Sequence, residues 1–282
     1  MASLAPSVPS PDWLHVHRGT APLVIAVPHG GTSLAGLDDQ FASPWLARLD
    51  TDWWVRDLYD FASDMGVSFV TTDISRSVID MNRDPSGASL YPGQATTELC
   101  PTTSFDGVPL YRNGADAIDA LDDAEKQRRK TAYHTPYHAA LTAELHRVKA
   151  QHGVAILYDA HSIRSHVPRL FDGRLPMFNI GTNNSATCAP ELEQAVANIC
   201  AASAHSHVVN GRFKGGWTTR HYGRPTGGIH AIQMELAQRG YMDEPTDYAP
   251  GQWPTPLHST PVILPVLQRI ITAVLDFAKG HA

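Results

Sequence analysis

Val154-Ala-Ile-Leu-Tyr-Asp-Ala-His-Ser-Ile-Arg164 runs from apolar residues straight into Asp159, His161, Ser162 and Arg164. An apolar run of this length, rich in branched residues, predicts a buried strand. Acidic and imidazole groups at the end of a buried strand need partners, because unpaired burial is costly. In open α/β sheets such groups collect in the crevice at the carboxyl ends of the strands, where ligands bind. His161 is therefore a candidate metal ligand.

Working outward, strands and helical segments alternate with no break in composition, which predicts one α/β domain over 21–282. Residues 1–20, with Pro6, Pro9 and Pro11 among Ser and Ala, read as a surface arm. Pro22–Val27 is a short apolar strand that breaks at Pro28-His-Gly-Gly-Thr32, where glycines let the backbone approach a ligand. Helical spacing runs from Ser43-Pro44 to Met65, with Asp50 and Asp52 in its first half. Strands are predicted at 67–70 and 78–81, the second closing on Asn82-Arg83-Asp84-Pro85. Residues 84–115 read as a long loop, and a loop of that length in a compact domain is usually functional. Tyr133, Tyr137, Leu141, Leu145 and Val148 make a helical stripe within 116–150, kinked at Pro136. Strands at 176–180, 207–210 and 228–236 follow, with helices at 189–203 and from Thr260-Pro261 to Gly280.

The bulk properties limit the function classes. The chain has 282 residues, enough for a sizeable core, and 18% charged residues. Its net charge of −6 argues against nucleic acid or an anionic membrane as partner. An anionic substrate would then depend on local arginines. Cys100, Cys188 and Cys200 have no metal-type spacing and cannot all pair, which points to a reducing, cytoplasmic setting. No apolar run is long enough to span a membrane, and no signal peptide is read at the N-terminus.

The chemistry-bearing residues cluster at strand ends. His29 ends the first strand and His161 the middle one, and catalytic zinc takes three protein ligands with one position left for water. Asp50 and Asp52 are the carboxylate candidates, and spacing does not choose between them. Asp159, two residues before His161, shares its strand face and could orient the imidazole. Glu235 lies inside an alternating strand, where glutamate is depleted. It is either an acid paired with arginine or a general base. Arg76, Asn82 and Arg83 flank the strand at 78–81, and an arginine there can clamp a carboxylate. The glycine-rich loop from Gly211 to Arg224 adds Arg212, Arg220, His221 and Arg224. His134 and His138, spaced i, i+4, are a rival metal pair. They lack a glutamate after the first histidine, and Pro136 disturbs the helix between them. Lining the pocket, or packing against the sheet, is the plainer reading of those two.

Several blocks together resemble a known family: Val27-Pro-His-Gly-Gly31, Asp50-Thr-Asp-Trp53, Ser75-Arg-Ser-Val-Ile-Asp-Met-Asn-Arg83, Ser89-Leu-Tyr-Pro-Gly93, Pro101-Thr-Thr-Ser-Phe-Asp-Gly107, Pro136-Tyr-His-Ala-Ala140, Asp159-Ala-His-Ser162 and Gly211-Arg-Phe-Lys-Gly-Gly216 through Glu235. They resemble the N-formylglutamate amidohydrolase family, which is related to zinc carboxypeptidases. The resemblance implies a three-layer α/β/α fold around a mixed central sheet, of zinc-exopeptidase type. It implies zinc held by His29 and His161, with Asp52 chosen here as the acidic ligand, and Glu235 as general base; Asp159 would then stand behind His161. The carboxypeptidase pattern has a glutamate three residues after the first histidine, where this chain has Thr32. The Asn82-Arg83 pair would bind one carboxylate of a small dicarboxylate substrate. Arg220, with Arg76, His221 and Arg164 as further pocket candidates, would serve the other. The implied reaction is hydrolysis of N-formyl-L-glutamate to formate and L-glutamate, a late step of histidine breakdown. Another zinc amidohydrolase of N-acyl amino acids or short peptides, or a non-catalytic binder of an acidic metabolite, are the alternatives.

Overall fold

The computed structural model of the chain describes residues 11–89, 93, 96–112, 121–244 and 254–281. Seven strands form one sheet: β1 (Leu14–His17), β2 (Leu23–Val27), β3 (Ser68–Thr72), β4 (Ala155–Ile163), β5 (Phe178–Gly181), β6 (His207–Val209) and β7 (Ile229–Ala237). Their spatial order is β1-β3-β2-β4-β7-β5-β6. The central four, β3, β2, β4 and β7, run parallel; β1 pairs antiparallel with β3, and β5 pairs antiparallel with β7 and parallel with β6. The sheet is therefore mixed, and the carboxyl ends of its central strands share one edge. β4 is buried at all nine positions, as its apolar run predicts.

Alternation along the strands divides the core into two layers. Leu23, Ile25, Ile156, Tyr158, Ile232 and Met234 face α4 (Pro190–Ala201) and α6 (Leu264–Lys279). Val24, Ala26, Ala155, Leu157 and Ala231 face Tyr137, Leu141, Leu145 and Val148 of α3 (Thr135–His152). Asp159 and His161 continue the parity of Ala155 and Leu157, and Gln233 and Glu235 that of Ala231. The face that packs on α3 lower down thus turns polar at the strand ends. Among the described residues no helix is long and apolar enough to cross a membrane, and all three cysteines are buried free thiols.

Several local expectations are corrected. Residues 43–65 are not one helix: they hold short 3-10 turns and the four-residue α1 (Val55–Leu58), preceded by Trp54 at φ +59°. Tertiary hydrogen bonds override the periodicity there: Asp52 N donates to His29 O at 3.0 Å, and Phe105 N donates to Asp50 Oδ2 at 2.7 Å. Residues 78–81 are irregular and not a strand, because Asp80 is drawn toward His29 and Arg76. The helix predicted over 116–150 is divided: α2 (Asp123–Arg129), a π turn (Lys130–His134), then α3. Pro136 cannot donate a backbone hydrogen bond, and the wide turn precedes it. Part of the segment read as an arm forms the edge strand β1, and its residues 1–10 lie outside the described residues. Residues 90–92, 94–95 and 113–115 of the long loop, with most of the Ser89–Gly93 block, and 116–120 of the predicted helix also lie outside them.

Candidate active site

Three segments meet at the strand-end edge. β2 leaves the sheet through Pro28 and His29 into Gly30-Gly31. Gly31 bridges Ser75, and a Cβ on it would collide with the backbone of Asp73. That close approach lodges His29 between the 50–52 and 73–75 segments. Asp52, fully buried, faces the histidine. His161 arrives from β4. Nδ1 of His161 lies 3.1 Å and Nδ1 of His29 lies 3.7 Å from Asp52 Oδ2. Candidate ligand atoms of the three residues all lie within 4.8 Å of one another.

The outer nitrogens are also placed. His29 Nε2–H donates to Asp80 Oδ1 at 2.7 Å. His161 Nε2 lies 3.1 Å from Asp159 Oδ1 and 3.0 Å from Asn82 Nδ2. Imidazoles backed by carboxylates in this way are the usual surroundings of metal-binding histidines. Two imidazoles and a buried carboxylate, each offering an inward atom, make a donor set that fits a divalent cation such as zinc.

The electrostatics are strongly coupled. Burial would lower the basicity of His161, but Asp159 and Asp52 raise it well above the usual histidine range. Burial opposes ionisation of Asp52, and the two histidines more than offset it, holding the carboxyl below its ordinary value. Burial works against Asp80 as well; Arg83, His29 and Arg76 pull it well below the normal range. Glu235 goes the other way. Burial pushes its carboxyl up to about 8, with His161 and Arg76 opposing and Asp52 and Asp159 adding.

Around this cluster lie the groups that could hold a substrate. Arg76 Nη2 donates to Asp80 Oδ2 at 2.9 Å, and its Nη1 lies 3.1 Å from His29 Nδ1. Asn82 N donates to Asp80 Oδ1, and Asn82 Oδ1 accepts from Thr218 N, both at 2.8 Å. A Cβ at Gly216 would strike the Asn82 amide, so a residue without a side chain is needed there. Arg83 donates to the carbonyl and hydroxyl of Thr97 at 2.9 Å each. Glu235 is the register partner of His161 across β4 and β7, and Gln233 Nε2 donates to it at 3.2 Å. A cleft of about 80 Å³ is lined by His29, Arg76, Asn82, Arg83, His161, Arg212 and Glu235, among others. Arg83 and Thr97 also border a neighbouring cleft of about 530 Å³ beside α2.

Residues 21–242 match the N-formylglutamate amidohydrolase family. The chain belongs to that family. Two relatives named N-formylglutamate deformylase are similar over most of their length. The one from Pseudomonas aeruginosa is 50% identical over 240 residues, 84% of this chain and 88% of the relative. The one from Pseudomonas putida is 48% identical over 233 residues, 82% of this chain and 85% of the relative. A crystal structure of N-formylglutamate amidohydrolase from Ralstonia eutropha JMP134 has the same fold, with a TM-score of 0.74 at 24% identity, covering 95% of this chain and 97% of that one. This member of the N-formylglutamate amidohydrolase family is an enzyme of the amidohydrolase class.

Not every candidate of the sequence reaches the cleft of this amidohydrolase. Arg164 is buried in ion pairs with Asp50 at 3.1 Å and Asp106 at 2.8 Å, so Asp50 faces away from the histidines. Arg220 and His221 lie on the short α5 (Trp217–Tyr222); Arg220 donates through Nε to Gly215 O, His221 stacks on Trp217 at 4.2 Å, and neither lines the cleft. His134 and His138 stand apart from the His29–Asp52–His161 group and bind backbone carbonyls. Conversely, two residues gain importance. In the sequence Asp80 reads only as part of a strand, although an aspartate two residues before Asn82 inside an apolar run is itself unusual. Arg212 is one of several cations of its loop, and no spacing in the sequence singles it out.

Proposed function

We propose that the chain is a zinc-dependent hydrolase of N-formyl-L-glutamate, releasing formate and L-glutamate in histidine breakdown, with residues 21–282 as one catalytic domain working in the cytosol. The observation that carries this reading is the buried His29–Asp52–His161 donor set at one edge of a cleft whose other walls hold Arg83 and Arg212. Family membership and the names of the Pseudomonas relatives support the substrate.

His29, Asp52 and His161 hold the ion, and Asp80 and Asp159 orient the two imidazoles. Zinc bound there supplies Lewis acidity toward the formyl oxygen and toward water. Asn82 and Arg83 bind one carboxylate of the substrate. Arg212 binds the other, in place of Arg220; the support is that Arg212 lines the cleft. Two cationic sites suit a dicarboxylate and fix the formyl group between them. Arg76, beside His29 and Asp52, faces charge building on the formyl oxygen. Glu235 takes a proton from the attacking water and passes it to the glutamate nitrogen as the C–N bond breaks and the new C–O bond forms. Its raised affinity for protons suits it to carry that proton, as a general acid–base group works best near the working pH.

The test is turnover of a panel of N-formyl and N-acetyl amino acids by protein of measured zinc content. N-formyl-L-glutamate is expected to be the best substrate. Faster turnover of N-acetylaspartate, or undiminished activity after zinc is stripped, overturns the proposal.

A further inference from the structure

Asn82 and Arg83 lie in an irregular segment, where no sheet ladder fixes the backbone. Two carbonyls flank Asn82, those of Met81 and Arg83. Each meets one histidine of the i, i+4 pair beside the π turn. His134 Nε2 lies 3.1 Å from Arg83 O, and His138 Nε2 lies 2.8 Å from Met81 O. The rings are buried, tilted by 45° to one another, with centroids 4.3 Å apart. Burial holds both below the usual histidine range, so each ring is neutral with a single N–H to give. With carbonyl oxygens as partners, that N–H sits on Nε2 in both. On the far side of His138, Nδ1 lies 3.0 Å from the Tyr222 hydroxyl, which in turn lies 3.1 Å from Thr142 Oγ1. The same two rings pack on Trp217, whose neighbour Thr218 donates its N–H to Asn82 Oδ1.

We infer that His134 and His138 are positioning residues: by fixing the Met81 and Arg83 carbonyls they aim the Asn82 amide and the Arg83 guanidinium at the substrate carboxylate. The inference rests on the proposed function of Asn82-Arg83 and adds to it what holds that pair in register. The π turn has a part here. It changes the helical phase just before Thr135, and with it the angle at which His134 meets the 81–83 segment. A misplaced clamp costs substrate binding out of proportion to its distance from the chemistry, because the bidentate geometry tolerates little error.

The experiment compares H134F and H138F with H134Q and H138Q, in the zinc-loaded full chain. Phenylalanine keeps a planar ring and removes the N–H, whereas glutamine retains a donor. The phenylalanine variants are expected to raise KM for N-formyl-L-glutamate at least tenfold. kcat should fall by a smaller factor, and zinc stoichiometry should be unchanged. The glutamine variants should recover KM to within about threefold of the parent. Parental KM in both folded phenylalanine variants overturns the inference, as do glutamine variants no better than phenylalanine. If H138F does not fold, H134F and the two glutamine variants decide the matter. Calorimetry with L-glutamate repeats the comparison without catalysis. A parent that binds glutamate but leaves N-formyl-L-glutamate intact strikes the proposed function, and the calorimetric ratios still judge the histidine pair.

Discussion

His29 gives its Nε2–H to Asp80 at 2.7 Å, and the same aspartate oxygen accepts the backbone N–H of Asn82 at 2.8 Å. One buried carboxylate therefore sets the orientation of a metal-ligand candidate and the position of a residue proposed to bind substrate. Asp80→Asn keeps the shape and removes the charge. It should weaken zinc binding roughly 10–100-fold, as outer-sphere changes do, and raise KM as well. Competition with a chromophoric chelator measures the first. An unchanged zinc affinity would remove Asp80 from this role.

His161→Ala and Asp52→Asn should each abolish stoichiometric zinc, read by elemental analysis of purified protein. Asp50→Asn should leave zinc at the parental level, because Asp50 faces Arg164 and the Phe105 backbone. Zinc lost in the Asp50 variant and kept in the Asp52 variant would reverse the assignment.

Glu235→Gln should keep its zinc and lose about 10²- to 10⁴-fold in kcat, the usual worth of a positioned acid–base group. A variant that turns over at the parental rate would end its candidacy.

Arg212→Ala should raise KM for N-formyl-L-glutamate by at least tenfold, with zinc retained. Arg220→Ala should change KM by less than about threefold. Steady-state kinetics of the two variants side by side distinguish them, and the opposite ranking would restore Arg220 as the partner of the second carboxylate.

Acid stability should depend on Glu125. It accepts from Arg128 and from the fully buried Arg129, and these hydrogen bonds, against some burial, bring its carboxyl down to about 2. A carboxyl with a lowered folded value stabilises the protein fully above its ordinary value of 4.5, and that contribution fades as pH falls from there toward 2. Glu125→Gln should therefore cost about 1–3 kcal/mol at pH 7 and much less at pH 2.5. Thermal melts at the two pH values check it. An equal Tm loss at both would show that the ion pair is not the cause.

The parts of this molecule that are legible in its sequence are those whose cause is local. β4 and β7 announce themselves by apolar runs or alternation, α6 by its periodicity and proline start, and His29, His161 and Glu235 by standing at or inside strands where such residues are rare. The 43–65 segment misleads because its apolar spacing is helical while hydrogen bonds from Asp52 to the His29 turn decide its path. Asp50 and Asp52 are indistinguishable in sequence, since only the folded chain shows that Arg164 claims Asp50. Asp80 and Arg212 escape because what marks them arises only in the fold: Asp80 meets His29, distant in the chain, and Arg212 lines the cleft.

His161 and Glu235 are opposite each other on adjacent parallel strands, so backbone ladder bonds fix the distance between a metal-ligand candidate and the proposed base. Asn82, Arg83 and Arg212 belong to irregular segments held by individual side chains. On the proposed function, the enzyme has a stiff reacting centre and an adjustable grip. Rebuilding the loops would retarget it to another acid while the hydrolytic step stays in place, which makes the 81–83 and 211–216 segments the natural ground for engineering new substrates.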